Sequence, residues 1–338
     1  MLTLQENVSL KLHSTMRLGG TARYSCSIKS EEELLEAVDF ALEHKLPIRV
    51  IGSGSNIIWR DEGWPGLLIC MGITGYETNN TSITFGAGMI WDEAVKISLN
   101  AGLHGLDTLS YIPGTVGATP VQNVGAYGSE IKDTMVSLRA YDMHSRRFVD
   151  IETNDCAFAY RTSRFKTYDS GRFLITSVTF NLQKEPLKPP FYSSLQTYLD
   201  QNNIKEYQAD TIRNAVIDIR KSKLPDPSLH ANNGSFFANP LVSTVTYEEL
   251  KEKYPNIVGW PSENNMVKLA AAWLIEEAGY KNFHDKNTGM STWHTQCLVL
   301  VNEHATSTQQ LIAFAQQIQS KVYDLFGVHL QQEPEILP

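Results

Sequence analysis

The stretch IGSGSNIIW, residues 51–59, sets a glycine-rich loop between two short apolar runs. Leu46 to Ile51 predicts a buried strand, and Ile57, Ile58 and Trp59 predict another. The order is therefore strand, glycine loop, strand. A dinucleotide fingerprint of the Rossmann kind needs a helix after the loop and a third glycine where this chain has Ile57. Gly86-x-Gly88 fails the same test, because position 91 is Trp91. A P-loop lysine, an HExxH pair and a Gly-x-Ser-x-Gly elbow are all missing from the sequence.

Working outward, a capped helix is predicted over residues 31–44, with Ser30 and Glu33 as a capping-box pair. A strand over 82–87 and a helix over 91–101 follow. The next segment, YIPGTVGATPVQNVGAYGSEI at 111–131, carries four glycines and two prolines with few charges. Such a segment suits neither a regular helix nor a solvated linker, and long apolar loops are usually functional. Strands are predicted over 138–151 and 173–182, and KEPLKPP at 184–190 reads as a boundary. Beyond it, helices are predicted over 210–220, 247–253, 267–278 and 308–326, with a strand over 296–302. Ser307 and Gln310 form a second capping box, closed by Gly327. The content is mixed α+β throughout.

The chain has 338 residues, enough for two or three domains, with 29 basic and 37 acidic residues and a formal charge of −8. That balance argues against nucleic acid or an anionic membrane as partner, so an anionic ligand needs a local cluster of cations. No apolar run reaches the length of a membrane span, and residues 1–14 lack the apolar core of a secretory signal. The four cysteines are scattered without metal-ligand spacing, which reads as free thiols in a reducing, cytoplasmic setting. No histidine pair has metal spacing either, and no metal is assigned.

Two glycine loops, 52–56 and 113–128, remain as candidates for chemistry. Small residues let backbone amides approach a phosphate closely. Each loop alone is equally a tight turn; two in one half of the chain favour a dinucleotide such as FAD. YRTSRFK, 160–166, places three cations beside aromatics, a run that is most commonly a solvated basic face. In NGSFFANP, 233–240, Gly234 frees the backbone and exposes Ser235, which is a turn residue or a catalytic one. EPE at 333–335 reads by composition as a frayed acidic tail.

Taken together, IGSGSN, IPGTVGATPVQNVGAYG, YRTSRFK, KLPDP (223–227), NGSFFANP, KLAAAWLI (268–275) and EPE resemble, in order and spacing, the MurB family of UDP-N-acetylenolpyruvoylglucosamine reductases. The resemblance implies an α+β protein with an FAD-binding, vanillyl-alcohol-oxidase or PCMH-type two-subdomain fold and a separate α+β substrate-binding domain. The implied division is 1–72 and 73–185 for the two FAD subdomains (PCMH-type domain about 17–183), 186–224 for a linker with the substrate loop and a helix, 225–326 for the substrate domain and 327–338 for a C-terminal segment.

It further implies FAD held by Gly52, Ser53, Gly54, Ser55, Asn56, Pro113, Gly114, Gly117, Ala118, Gln122, Asn123, Gly125, Ala126 and Tyr127. NADPH would be the reductant and the enolpyruvyl nucleotide sugar the oxidant. Arg161 resembles the cation that meets the enolate-like charge, Ser235 the proton donor and Glu335 the carboxylate completing the site. Tyr192, Arg220, Lys223, Asn239 and Gln296 resemble the residues that hold the sugar nucleotide. Tyr192 lies in a loosely matching PFYSSL segment. The chain also stops at Ile336-Leu337-Pro338, where the family continues with a further strand, which leaves Glu335 on a short tail. The expected partner is a small molecule, and the expected state is a cytoplasmic monomer. The competing readings are another flavin oxidoreductase of the same fold, or a catalytically impaired relative that still binds FAD and a nucleotide sugar.

Overall fold

A computed structural model describes residues 2–338, which divide into two compact units. The first comprises residues up to Val8, Ala22–Ser53 and Trp64–Ser222; the second comprises Ser9–Thr21, Gly54–Gly63 and Lys223–Pro338. The glycine loop 52–56 is thus shared, with Gly52 and Ser53 in one unit and Gly54 to Asn56 in the other.

In the first unit, Thr21–Ile28, Trp64–Met71 and Ile48–Ile51 pair in parallel, with Gln5–Ser9 beside Thr21–Ile28 at the edge. The helix Glu31–Glu43 buries Leu34, Ala37, Val38 and Ala41. It begins where expected, but only half of the predicted capping box forms. Ser30 accepts from the Glu33 N–H at 3.2 Å, whereas the Glu33 carboxylate accepts from Lys29 N–H at 2.6 Å, one residue further back.

An antiparallel sheet follows in the order Arg147–Glu152, Met135–Asp142, Phe173–Asn181, Ser82–Gly86, Tyr76–Asn79. The single strand predicted over 138–151 is therefore a hairpin. Its turn is made by Asp142, whose carboxylate accepts from His144 N–H and the Ser145 hydroxyl, with Arg146 at φ +52°. A smaller core joins Leu195 and Leu199 of Ser193–Gln201 to Ile212, Ala215, Val216 and Ile219 of Ala209–Lys223, with Tyr127 packed against it. Ser193–Gln201 adds a helix to those predicted.

In the second unit, Ala231–Ser235, Gln296–Asn302, Met290–Trp293 and His284–Asp285 form one antiparallel sheet. The helix Thr308–Phe326 has the full capping box of Ser307 and Gln310 and ends at Gly327, φ +67°. The helix predicted over 267–278 is shorter. Met266–Leu269 is a central strand, paired with Leu241–Ser243 and Gly259–Ser262, because Val267 and Leu269 alternate inward. The helix starts only at Ala271–Glu277, where the Asn239 carboxamide oxygen accepts from Ala271 N–H at 3.0 Å. Phe236, Phe237, Leu274, Phe314 and Ile318 fill the core.

The C-terminus is not frayed. Glu335–Leu337 pairs in parallel with Ile57–Trp59, Leu337 is buried, and Arg60 N–H donates to the Leu337 carbonyl at 2.9 Å. No helix among the described residues is long and apolar enough to cross a membrane, and none of them gather into a three-ligand His, Cys, Asp or Glu cluster. The four thiols are free; burial pushes Cys26, Cys156 and Cys297 up to about 12, which leaves them poor nucleophiles.

Candidate active site

The first unit gathers its candidates around the loop 113–128. Its start is fixed by packing against the other glycine loop. A Cβ at Gly52 would lie 2.1 Å from Thr115 Oγ1, so only glycine permits this approach. Val116 and Gly117 N–H donate at 2.9 Å to the carbonyls of Met89 and Ala87. The Asn123 side chain is fully buried and braces the loop: its Nδ2 donates to Glu130 Oε2 at 2.9 Å and to the Ala159 carbonyl at 3.3 Å, and its Oδ1 accepts from Lys132 N–H. Ser53, Pro113, Ala118 and Gly128 are exposed along the two loops. Close-packed small residues with exposed backbone suit a dinucleotide such as FAD, and no bulky side chain in 52–56 obstructs one.

The basic segment is tied to that loop rather than spread on a solvated face. Arg161 Nη1 donates to the Gly125 carbonyl at 2.8 Å, and the Ser163 hydroxyl donates to the Val121 carbonyl at 2.6 Å. Ala159 and Thr162 close a tight turn by exchanging backbone hydrogen bonds, with Arg161 at φ +55° inside it. A left-handed conformation in a non-glycine residue is costly and persists where the surroundings impose it. Arg164 has a different job, binding the buried carboxylate of Asp169 at 2.6 Å.

Tyr192 stands at the N-terminus of Ser193–Gln201, about half exposed, with its ring edge-on to Tyr127 at 6.3 Å. Arg220 Nε donates to the Tyr111 carbonyl at 2.9 Å. Burial pushes the Arg220 guanidinium below its ordinary value, and nearby Arg161 pushes it the same way against the pull of Tyr127 and Asp92. Burial also raises the Tyr127 phenol, opposed by Arg220. Arg161, Arg220, Tyr127 and Tyr192 are thus brought together, and two guanidiniums that repel one another suit a polyanion. Sequence reasoning missed Asp92 and Arg213, which pair through both carboxylate oxygens at 2.7 Å. The available signal was the spacing of Arg213 and Arg220, two turns apart on one helix face.

The second unit holds Gly54, Ser55, Asn56, Lys223, Ser235, Asn239, Gln296 and Glu335. Ser235 ends Ala231–Ser235, opposite Val299, after a bulge in which Gly234 has φ +70°. Beyond it, Phe236 accepts from Glu333 N–H, Phe237 bridges Gln332, and Ala238 N–H donates to Gln331. These bonds tie the residues just after Ser235 to residues 331–333, just before Glu335. Glu335 N–H in turn donates to the Asn56 carbonyl at 3.0 Å.

Asn233, also missed as a site residue, joins these pieces. Its Nδ2 lies 3.1 Å from Thr15 Oγ1 and 3.3 to 3.4 Å from the carbonyls of Gly54, Ser55 and Ile57. Lys223 is exposed, and its carbonyl accepts from the hydroxyl of Thr295, the neighbour of Gln296. Asn239 spends its carboxamide oxygen on the helix cap described above.

Comparison with known proteins agrees with this geometry. Residues 23–146 match the FAD binding domain family, and residues 226–337 match the UDP-N-acetylenolpyruvoylglucosamine reductase C-terminal domain. The chain is 38% identical over 345 residues to the UDP-N-acetylenolpyruvoylglucosamine reductase of Ralstonia nicotianae, covering all of both chains. It is 39% identical over 340 residues to that of Pseudomonas syringae pv. tomato, covering 99% of each. The crystal structure of the Thermus caldophilus reductase (MurB) shares the fold, with a TM-score of 0.70 at 22% identity and full coverage of both chains. The chain belongs to the UDP-N-acetylenolpyruvoylglucosamine reductase family, and is an α+β FAD-dependent oxidoreductase that reduces UDP-N-acetylglucosamine enolpyruvate to UDP-N-acetylmuramate in peptidoglycan precursor synthesis, with NADPH as the family's reductant.

Proposed function

We propose that Arg161, Ser235 and Glu335 carry the substrate half of this reduction, and that the two glycine loops hold FAD. Bound FAD would supply the relay that carries a hydride equivalent, two electrons with one proton, from NADPH to the enolpyruvyl double bond. Everything else falls to side chains. Reduction of a double bond beside a carboxylate pushes charge onto that carboxylate, and a fixed guanidinium is the suitable counter-charge; Arg161 supplies it. The carbon bearing the new charge takes a proton from the Ser235 hydroxyl. A hydroxyl is a weak acid, but the carbanion is a strong base, so placement decides the rate. Glu335 orients that hydroxyl and its neighbours. Tyr192, Arg220, Lys223, Asn239 and Gln296 hold the sugar nucleotide, with the arginine and lysine meeting the diphosphate.

The observation that carries the reading is the backbone register linking residues 236–238 to 331–333, which supports Ser235 and Glu335 as one rigid pair. An enzyme impaired through its short tail would need that tail to be loose, and the pairing of Glu335–Leu337 with Ile57–Trp59 argues against it. Two FAD subdomains fall within 1–72 and 73–185, followed by the linker 186–224, the substrate domain 225–326 and the C-terminal segment 327–338, and the protein works as a monomer in the cytoplasm.

The test is anaerobic. NADPH should bleach the flavin absorbance of the purified protein, and the enolpyruvyl nucleotide sugar should restore it. A flavoprotein that bleaches and stays bleached would contradict the assignment of these residues to substrate reduction.

A further inference from the structure

Asp92 lies in the first turn of Trp91–Asn100, outside every segment that carries the family resemblance. Its Oδ1 accepts from the Tyr111 N–H at 2.5 Å and from Arg213 Nη1 at 2.7 Å, while its Oδ2 accepts from Arg213 Nη2 at 2.7 Å. Tyr111 has φ +59°, a conformation that a bulky side chain adopts only under constraint. Both sides of that residue are clamped. Its N–H is held by Asp92, and its carbonyl accepts from Arg220 Nε at 2.9 Å. The Lys221 ammonium lies 5.4 Å from the centre of the Tyr111 ring.

We propose that Asp92 is a positioning residue for nucleotide-sugar binding, setting the Arg220 guanidinium through the backbone of Tyr111. The proposal rests on Arg220 being a substrate-binding residue. The geometry divides the labour between two arginines on one helix face. Arg213 spends both Nη groups on Asp92 and acts as the anchor of Ala209–Lys223. Arg220 is engaged by the relay through Nε and also hydrogen-bonds the Tyr127 phenol, whereas a diphosphate is gripped through Nη groups. An amide in place of the carboxylate has one uncharged acceptor oxygen for Tyr111 N–H and Arg213 together. The hold on the left-handed backbone then weakens, the carbonyl shifts, and Arg220 loses part of what fixes its direction. The Asp92 carboxylate hydrogen-bonds Tyr111 and Arg213, neither of them proposed to hold FAD, so flavin reduction should not depend on it.

The experiment uses the full-length flavoprotein and UDP as the probe, measured by titration calorimetry, with flavin content and the rate of flavin reduction by NADPH recorded for each variant. Asp92→Asn should weaken UDP binding and raise the substrate KM by about tenfold, the size expected for a hydrogen bond to a charged group. Flavin content and NADPH reduction should match wild type. Arg220→Ala should weaken UDP at least as much, and the double variant Asp92→Asn/Arg220→Ala should be no weaker than Arg220→Ala alone. Losses that multiply in the double variant would overturn the relay, because a general structural role adds to the loss of Arg220. Unchanged UDP binding in Arg220→Ala would instead overturn the substrate-binding reading on which the proposal stands.

Tyr111→Gly provides a second route, since glycine adopts the left-handed backbone unaided. In that background Asp92→Asn should change UDP affinity by less than about twofold. A persisting tenfold loss would show that Asp92 acts by another path and would also overturn the proposal.

Discussion

Arg161 and Glu335 are both held firmly, by opposite means. Arg161 sits in a strained turn of the first unit, fixed by side chains that reach carbonyls: its own to Gly125, Ser163 to Val121, Asn123 to Ala159. Glu335 sits in the second unit on a strand, fixed by backbone pairing to Ile57 and Asn56. A charge cluster made of side chains can be altered by one substitution at a distance. A backbone ladder tolerates side-chain changes and fails when the chain itself is cut.

The sharpest way to break this contrast is to shorten the tail. Deleting Ile336–Pro338 removes the partner of Ile58 and Trp59 and should slow substrate reduction about as much as Glu335→Gln, some 10²-fold or more for a positioned acid–base group. Flavin reduction by NADPH should survive both changes. If the deletion is silent while Glu335→Gln is not, pairing does not position the carboxylate.

On the other side, Arg161→Ala should cost about 10²–10³-fold in substrate reduction without releasing FAD, as loss of an oxyanion-stabilising group does. Apoprotein on purification would make Arg161 a cofactor residue instead. Next in size is Asn233→Ala, which strips the carbonyls of Gly54, Ser55 and Ile57 of a buried donor and should lower stability by about 1–3 kcal/mol. Thermal unfolding would measure it, and an unchanged midpoint would contradict the bracing role.

Acid should separate the units. In the first, Asp142 is held well below the usual carboxylate range by its hydrogen bonds from Arg172, which overcome burial, and bonds from His144 and Ser145 add to them. At Asp92 and Asp169 burial opposes ionisation, yet Arg213, and Arg164 with Arg172, outweigh it and hold both carboxyls low. In the second unit Asp285 is lowered, also against burial, by Asn287, Thr288 and Gln317, none of them charged. A carboxylate depressed in the fold adds stability that is complete above its unfolded value, about 3.9, and is lost as pH falls below it. Hydrogen exchange from pH 5 down to 3 should therefore loosen residues 135–181 before 284–302. The reverse order would contradict the charge-built picture. The smallest effect expected is Gly234→Ala, about 1 kcal/mol for left-handed backbone in open space.

Much of this was legible in the sequence because it was local. The strand–loop–strand order at 51–59, the helix Thr308–Phe326 with both its caps, and the strand Gln296–Asn302 all lie where spacing predicts them. The hairpin inside 138–151 left a trace, since Asp142 with Ser145 is turn chemistry that hydrophobic counting passes over. The anchoring of the tail left none. Composition alone makes Glu-Pro-Glu a loose end, and only a partner from the start of the chain, Ile57–Trp59, turns it into a strand. Asp92, Tyr111 and Asn233 were hidden for the same reason: their work is done on residues distant in sequence.

The central claim is that Ser235 delivers the proton in the half-reaction that follows flavin reduction. Ser235→Ala should be reduced by NADPH at the wild-type rate in an anaerobic stopped-flow experiment. Reoxidation by the enolpyruvyl nucleotide sugar should then be about 10²–10⁴-fold slower than wild type. Wild-type reoxidation by the alanine variant, or equal loss in both half-reactions, would contradict the account.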